Sequence, residues 1–414
     1  MPVAVPVSQL ERGMILASNI VNKYSVLLPH NHTLSESDIS SLRRRFPDKL
    51  VQVIDPLLDE LVEFDDNSGD YKVSLEVRRN VAAVSNRVSH AVRANATLTP
   101  DNIAGMQRTI EDMMRHMQDN PVTMAIIEQS GDWSSYLQEH SSNVFYLSMV
   151  IGNTIRNHIK RERERLSAAK TISDAMNLIP MAVAAIIHDV GMVPIEQLYR
   201  KEQSLTKEEV ALVKAHPMTG AKMLPVNIDP MVKLVVRCHH ENQNGSGYPE
   251  GISGDRITVF ARIIRVADAY SAAISRTTFK KGKSSVLALY EMLHGQYKRF
   301  YDPVVLKVFA RIIQPFPIGA KLKLESGRVA VVTKHNLKNS FKPQVLVAFD
   351  EKGEHLAEGQ FEGPFFLDER DDIKIVSFEN EDISYINKVQ EESLPDLAEV
   401  LEHECSEMLD LVYP

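Results

Sequence analysis

Five of the 14 histidines in this sequence lie on or beside apolar stretches that are predicted to be helical. Two aspartates lie at the ends of such stretches. The set consists of His140, His188 with the adjacent Asp189, His216, the neighbouring pair His239 and His240, and Asp268. Imidazole and carboxylate ligands without thiolates select Mn, Fe, Zn or Ni ions. Two such ions that share one carboxylate could share a hydroxide and stabilise both oxygens of a phosphoryl displacement. Asp189, next to His188, is well placed to be the shared carboxylate.

Two helices are predicted to place the carboxylates of this set. His188 and Asp189 follow the apolar run 181–187, and we expect Gly191 to stop that helix. Asp268 is expected to close the helical run 260–267. A charged carboxylate that closes an apolar helix is costly unless a cation or a hydrogen-bond donor meets it. The spacing alone leaves two interpretations equally open: a metal site, or satisfied histidines of an ordinary core.

The stretch from His239 to Gly251, HHENQNGSGYPEG, is predicted to be a loop. It contains three glycines, so its backbone would be exposed near the ligand cluster. This composition is over-specified for a simple turn, and it favours the metal interpretation.

Four motifs in this region resemble, in order, those of the HD-GYP family. These are phosphodiesterases of the HD superfamily that hydrolyse the bacterial second messenger cyclic di-GMP. The motifs are Gln138-Glu139-His140-Ser141, His188-Asp189-Val190-Gly191, Lys214-Ala215-His216-Pro217, and the loop from His239 through Tyr248-Pro249. Arg265-Val266-Ala267-Asp268-Ala269-Tyr270 and Tyr301-Asp302-Pro303 extend the resemblance, which covers approximately residues 130–315. Residues 9–14, QLERGM, resemble a small domain often found ahead of such modules.

The resemblance implies a role for each member of the cluster. His140, His188, Asp189 and Asp268 would hold one divalent ion, and Asp189 would join His216, His239 and His240 around a second. The ions would be Fe or Mn. His188 and Asp189 would be the central catalytic pair, and a metal-bridged hydroxide would attack phosphorus to give linear pGpG, and GMP after a second cleavage. Substrate contacts would come from Gly245, Gly247, Tyr248, Pro249 and Lys280.

Four positions depart from the family pattern. Tyr136 replaces the Glu that family members with a third metal carry, so two metals are expected. Met192 replaces a lysine, Asn244 replaces an aspartate, and 277–280 reads TTFK where Arg-Pro-Tyr-Arg is expected. These changes thin the phosphate-binding shell and predict a slow enzyme, because a lost cation weakens transition-state stabilisation.

Three functions remain open on this basis. The first is a cyclic di-GMP phosphodiesterase. The second is a catalytically weak, metal-bearing receptor or scaffold that binds cyclic di-GMP or a partner protein through the Gly-Tyr-Pro loop or the terminal domains. The third is a phosphohydrolase for another nucleotide, such as a mixed cyclic dinucleotide.

Composition limits the remaining possibilities. With 47 Lys+Arg against 55 Asp+Glu, the net charge of −8 is unfavourable for binding long nucleic acids. Two cysteines, Cys238 and Cys405, cannot form a disulfide framework. The longest apolar run, 178–187, is too short for a membrane span, and no secretory signal is recognised at the N-terminus. The missing targeting segments, together with the substrate that the resemblance implies, predict a cytoplasmic location. The resemblance also implies a bacterial origin.

The predicted fold class is mainly α. A helical HD-superfamily metal-binding core is flanked by a small N-terminal α+β domain and a small C-terminal β-rich domain. The predicted boundaries are 1–65 for the N-terminal domain, 72–130 for a helical lead-in, 130–315 for the HD-GYP core, 316–380 for the β-rich domain and 381–414 for a helical tail. A helix capped by Ser35 is expected over 35–46, a linker over 65–70, and an acidic amphipathic helix over 394–411 that packs on its own chain or mediates a homodimer.

Overall fold

The structure is a computed structural model, and all structural statements concern the residues that it describes. These are 3–17, 19–22, 25–47, 50–54, 68–95, 97–119, 136–165, 171–201, 203–275, 282–357 and 359–388. The predicted helix over 394–411, Cys405, Lys280 and residues 65–67 of the predicted linker lie outside the described residues. Residues 68–70 do not form a linker, because a helix begins at Ser68.

The N-terminal region contains five short strands and one helix. Their bounds are β1 Val3–Pro6, β2 Ile15–Leu16, β3 Ile20–Asn22, β4 Ser25–Leu28, α1 Glu36–Arg45 and β5 Leu50–Ile54. Strands β1, β5 and β2 form an antiparallel sheet in that order, and β3 pairs with β4. Ser35 caps α1 as predicted: its hydroxyl accepts from the Asp38 amide, and Asp38 returns a bond to the Ser35 amide. This region has a hydrophobic core of its own.

The helical body follows and carries all the predicted metal ligands. Its helices are α2 Ser68–Asn95, α3 Pro100–Asp119, α4 Tyr136–Thr154, α5 Arg156–Arg165, α6 Ile172–Met176, α7 Ile179–Ile187, α8 Lys207–Met223, α9 Pro230–Cys238, α10 Val259–Ile274, α11 Ser285–His294 and α12 Pro303–Ile312. Helix α4 is central and packs against α2, α7 and α10, while α9 packs against α7 and α8. The mainly α fold class is confirmed.

The structure corrects the role expected for Gly191 and the helix end expected at Asp268. Helix α7 ends at Ile187, and the chain continues through Gly191 in a 3₁₀ segment, Val190–Arg200, that packs on α8. Gly191 therefore does not stop a helix. Its role is close approach, because a Cβ there would lie 2.1 Å from the His216 carbonyl oxygen and 2.6 Å from the Gly220 nitrogen. Asp268 does not close a helix either, since α10 continues to Ile274.

The C-terminal region is a six-stranded antiparallel sheet in the order β11-β10-β6-β7-β8-β9. The strands are β6 Lys321–Leu324, β7 Val329–Lys334, β8 Gln344–Phe349, β9 Glu362–Phe366, β10 Ile375–Phe378 and β11 Glu381–Asp382. The sequence predicts short β-rich segments over 320–324, 329–333 and 345–349, and these correspond to β6, β7 and β8. The sheet ends two residues beyond the predicted domain boundary at residue 380. One face of the sheet shares its hydrophobic core with the helical body, where Phe378 contacts Phe316 at 5.4 Å between ring centroids.

One segment of the described chain, Ile172–Leu198, is long and apolar enough by composition to cross a membrane. Within it, 78% of the most apolar window is buried inside the protein. The central helix of a folded core passes the same test of length and composition.

A buried ion pair holds α10 against α12. Arg262 donates to Asp302 at 2.6 Å and to Glu162, and Asp302 also caps α12 through the amides of Val304 and Val305. We expect Asp302→Ala to lower the free energy of unfolding by about 3 kcal/mol, because it removes a helix cap and one partner of a buried cation.

Urea denaturation of the two variants Asp302→Ala and Asp372→Ala measures this difference. Asp372 pairs with Arg370 at 2.8 Å on the surface, where solvent screens the pair, so its loss should cost much less than the loss of Asp302. Equal losses in the two variants would contradict the structural role of Asp302.

Candidate metal centre

The structure brings together all seven predicted metal ligands in the helical body. His140 lies on α4, His188 and Asp189 directly follow α7, His216 lies on α8, His239 and His240 follow α9, and Asp268 lies on α10. Six of these seven residues form two overlapping groups. In each group, one ligand atom from every residue lies within 4.8 Å of the others. The groups are His140 with His188 and Asp189, and Asp189 with His216, His239 and His240.

Asp189 belongs to both groups because its two carboxylate oxygens face different histidines. Oδ1 lies 3.1 Å from His216 Nε2 and 3.7 Å from His239 Nε2. Oδ2 lies 3.6 Å from His188 Nε2 and 3.8 Å from His140 Nε2. A carboxylate divided in this way can bridge two cations.

Asp268 forms a second link across the cluster. Its Oδ1 lies 3.1 Å from His140 Nε2, and its Oδ2 lies 3.5 Å from His240 Nδ1. The carboxylate lies in the middle of α10 and is almost fully buried. A helix interior fixes its position more firmly than a helix end would.

Backbone carbonyls fix the orientation of three of the imidazoles. The Nδ1 atoms of His188, His216 and His239 lie 2.9, 2.6 and 2.7 Å from the carbonyl oxygens three residues earlier in each case. A carbonyl can only accept, so each Nδ1 donates to its carbonyl and each Nε2 faces the centre. This arrangement is typical of metal-bound histidine.

The Nε2 atoms of the imidazoles lie close together in pairs. His216 Nε2 and His239 Nε2 are 3.1 Å apart, and His188 Nε2 and His140 Nε2 are 3.3 Å apart. Two lone pairs at this distance repel unless a cation lies between or beside them. The donor set therefore fits divalent metal ions, which the hard and borderline ligands would select.

The charge states of four ligands also suit a metal ion. Burial lowers the pKa of His188 to about 4 and, with a neighbouring histidine, holds the pKa of His240 well below its ordinary value. Burial alone would raise the pKa values of Asp189 and Asp268, but the surrounding histidines outweigh it and keep both pKa values well below the ordinary range. Neutral imidazoles and ionised carboxylates are the forms that bind cations.

The negative charges of the two aspartates raise the pKa values of two other histidines in the cluster, His140 and His216. Burial would lower the pKa of His140, but the hydrogen bond and charge of Asp268 outweigh it and raise this pKa. Asp189 raises the pKa of His216 in the same way. Cations bound by these carboxylates would displace the protons.

The loop after α9 closes over the cluster and is held by its own backbone. Glu241 Oε1 accepts hydrogen bonds from the amides of Glu250 at 2.7 Å and Gly251 at 3.2 Å. Gly247 passes so close to the start of the loop that a Cβ would lie 2.3 Å from the Asn242 nitrogen, and Gly245 has a φ of +80°. Glycine is therefore required at both positions.

Tyr248 lies directly beside the ligands. Its ring stacks on His240 at 4.8 Å between centroids, and the Lys214 ammonium lies 5.8 Å from the Tyr248 ring. Burial and the charges of Asp268 and Asp189 raise the pKa of the Tyr248 phenol, which keeps it protonated. The following Pro249 is joined by a cis peptide bond.

Two residues around the ligands, Arg265 and Ser271, were not assigned a role from sequence. Arg265 donates to Asn242 at 2.9 Å, and its Nη1 lies 3.9 Å from Asp268 Oδ2. It therefore links α10 to the loop. Ser271 Oγ lies 2.9 Å from His140 Nδ1, where the two side chains are buried together. A signal for Ser271 was present, since it follows Asp268 by three residues and so shares its helix face.

Ser271→Ala is expected to weaken metal binding by about 10- to 100-fold, because it removes the partner that orients the His140 ring. Metal titration of the metal-free protein measures the effect. Ser275→Ala, at the C-cap of the same helix, is the matched control, since the Ser275 hydroxyl donates to the Ser271 backbone carbonyl. A loss in the control as large as in Ser271→Ala would contradict the orienting role.

The structure gives contacts for two of the positions that depart from the family pattern, Met192 and Asn244. Met192 is buried, at 3% exposure, and its amide donates to the Asp189 carbonyl. Asn244 accepts from the Ser246 amide and hydroxyl and so shapes the loop. Tyr136 begins α4, and residues 276–281, including Lys280, lie outside the described residues.

Comparisons with known proteins agree with this geometry. Residues 147–305 match the sequence model of the HD domain family. A cyclic di-GMP phosphodiesterase of Pseudomonas aeruginosa is 34% identical over 170 residues, which are 40% of this chain and 41% of that protein. A cyclic di-GMP phosphodiesterase of Borreliella burgdorferi is 27% identical over 208 residues, which are 50% of each. A 3′3′-cGAMP-specific phosphodiesterase of Vibrio cholerae is 29% identical over 129 residues, which are 30% of this chain and 24% of that protein. The matched region spans half or less of each relative's length.

Proposed function

We propose that this chain is a metal-dependent phosphodiesterase of the HD-GYP type that hydrolyses cyclic di-GMP in bacterial second-messenger signalling, because residues 147–305 match the HD domain family and cyclic di-GMP phosphodiesterases are similar to this region. The observation that carries the proposal is the division of Asp189 between two histidine groups, with one oxygen 3.1 Å from His216 and the other 3.6 Å from His188. This is the arrangement that a two-metal hydrolase needs.

The chain's own residues would hold the ions and position the substrate. His140, His188, Asp189 and Asp268 would hold one divalent ion, and Asp189 with His216, His239 and His240 the other. When bound, the ions would supply an activated water for attack on phosphorus and positive charge to stabilise the attacked phosphate. Fe or Mn suits the nitrogen and oxygen donors.

The loop would contribute the substrate contacts. Tyr248 offers a protonated phenol beside His240, and Gly245, Gly247 and Pro249 give the loop the shape that places this ring. Arg265, 3.9 Å from Asp268, is a cation at the edge of the centre. Lys280 remains proposed as a substrate contact from sequence alone.

The remaining features of the proposal follow from the same reaction. The first product would be linear pGpG, with GMP after a second cleavage, and the enzyme would act in the cytoplasm. The proposed domains are 1–65, the helical lead-in 72–130, the core 130–315, the β-rich domain 316–380 and the tail 381–414.

A second candidate function is a metal-bearing receptor that binds cyclic di-GMP or a partner protein with little turnover. The observation that favours it is Met192, an apolar and buried side chain where the family pattern has a phosphate-binding lysine. A third candidate, hydrolysis of a mixed cyclic dinucleotide, is favoured by the similarity to the cGAMP-specific relative.

One experiment separates the three candidates. The protein, loaded with Fe or Mn without oxygen, is incubated separately with cyclic di-GMP and 3′3′-cGAMP, and products are identified by chromatography. Binding of each nucleotide is measured by calorimetry on the same sample. Faster cleavage of cyclic di-GMP supports the proposal, and faster cleavage of 3′3′-cGAMP favours the third candidate. Tight binding without product from either nucleotide favours the receptor.

A further inference from the structure

A cavity of about 500 Å³ lies beside the metal centre but does not contain it. Its floor is apolar and consists of Leu293, Tyr301 and Leu306, each less than a tenth exposed. Its rim is basic and carries Lys298, Arg299 and Lys307. The floor and the rim together suit a ligand that is both apolar and acidic.

The apolar surface continues outside the cavity. Tyr297 precedes the basic rim and is 42% exposed, which makes it one of the more exposed large apolar side chains among the described residues. Its ring lies 5.3 Å from that of Phe300. An exposed aromatic ring beside an apolar floor is typical of a docking surface.

The described part of the chain ends close to this cavity. Its last element, the 3₁₀ segment Ser384–Lys388, places the Tyr385 ring 4.6 Å from the Tyr290 ring. The Tyr290 ring is in turn 5.0 Å from that of His294, the last residue of α11. The next residue, Gly295, lines the cavity. The last element of the described chain therefore packs against Tyr290, about one helical turn before the end of α11 at the cavity.

The segment that follows, 389–414, has the composition that the cavity suits. It contains eight acidic residues and no Lys or Arg. Apolar residues recur within it at the spacing of one helix face, at Leu394, Leu397, Leu401 and Met408. Its 26 residues are more than enough to reach a cavity that begins beside their point of attachment.

We propose that segment 389–414 docks in this cavity, with its leucines on the floor and its carboxylates against the basic rim. The proposal goes beyond the proposed function, because docking requires neither metal nor nucleotide. The docked segment would contact the loop over the metal centre, since Gln243 lines the cavity and its amide donates to the Phe300 carbonyl.

Crosslinking from a native cysteine tests the proposal in the full-length chain. Cys405 lies in the segment, and the other cysteine, Cys238, is buried at 2% exposure. Gln296→Cys introduces a thiol at the cavity without changing its charges. Val226→Cys introduces one at a fully exposed position on another loop, between α8 and α9, as the matched control. A short bismaleimide is added, and the linked peptides are quantified by mass spectrometry.

Docking predicts that the link from Cys405 to the cavity thiol forms about tenfold faster or more than the link to the control thiol, because docking raises the local concentration at one site only. Arg299→Glu with Lys307→Glu, or added salt, should slow the cavity link and leave the control link unchanged. Circular dichroism shows whether these surface variants fold.

Three results would overturn the proposal. Equal linking rates at the two thiols would mean that the segment does not prefer the cavity. A cavity link that forms equally fast after charge reversal would show that the carboxylates of the segment do not lie against the basic rim. Links formed between isotopically labelled and unlabelled copies in a mixed sample would show that the occupant belongs to a second chain.

Discussion

Replacing Asp189 by asparagine is expected to remove the bound metal and to lower the rate of cyclic di-GMP hydrolysis by about a thousandfold or more, which corresponds to about 4 kcal/mol of transition-state stabilisation. The amide keeps the shape of the side chain but carries no negative charge. Both oxygens of Asp189 face histidine nitrogens, so the substitution weakens both groups at once. Metal analysis and a hydrolysis time course on the same preparation measure the two effects.

Two histidine variants serve as controls and show whether the effect is specific to the shared carboxylate. His240→Ala removes one ligand from only one group, so it should lose less metal than Asp189→Asn. His355→Ala changes an exposed histidine on the C-terminal sheet, where its ring contacts Phe349, and should change neither metal content nor rate. An Asp189→Asn protein with full metal and full activity would show that this carboxylate is not the bridge.

Gly191→Ala is expected to disrupt the metal centre through packing alone and to lower the free energy of unfolding by about 3 kcal/mol or more. The new methyl group would lie 2.1 Å from the His216 carbonyl oxygen and 2.6 Å from the Gly220 nitrogen, and both of these are backbone atoms that cannot rotate away. The 3₁₀ segment and α8 would have to separate. That movement would carry His216 away from Asp189, so metal affinity should fall with stability.

Thermal and urea unfolding of the metal-free protein measure the first effect, and metal titration measures the second. Gly105→Ala is the matched control, because Gly105 lies inside α3 and a Cβ there would contact nothing within 4 Å. It should raise the stability by up to about 1 kcal/mol, since alanine favours helix more than glycine does. A Gly191→Ala protein as stable as the original would contradict the close packing of these two elements.

The ligand set could be predicted from sequence because its residues lie in several recognisable motifs that follow one another in a fixed order. His188 next to Asp189 is, by itself, weak evidence for a metal site. The long loop from His239 to Gly251 distinguished a metal site from ordinary core histidines. The capping of α1 by Ser35 and Asp38 was also predictable, because a capping box depends on residues only three apart.

Features that depend on residues distant in sequence could not be predicted. Nothing around Gly191 shows that the His216 carbonyl will lie against it, so the residue was interpreted as a helix stop. Asp268 was expected at a helix end because it follows the apolar run 260–267. Its burial inside α10 is costly for a carboxylate. Its cost is offset by His140, which comes from another helix. Strands β9 to β11 were missed since their exposed or short sequences pair only within the assembled sheet.

The most direct test of the central claim is metal content followed by cyclic di-GMP hydrolysis on one sample purified without oxygen, beside the double variant His188→Ala with Asp189→Ala. The account predicts bound Fe or Mn and a linear dinucleotide product in the original protein, and the loss of both in the double variant. A protein that hydrolyses cyclic di-GMP without metal, or a double variant that retains metal and activity, would contradict it.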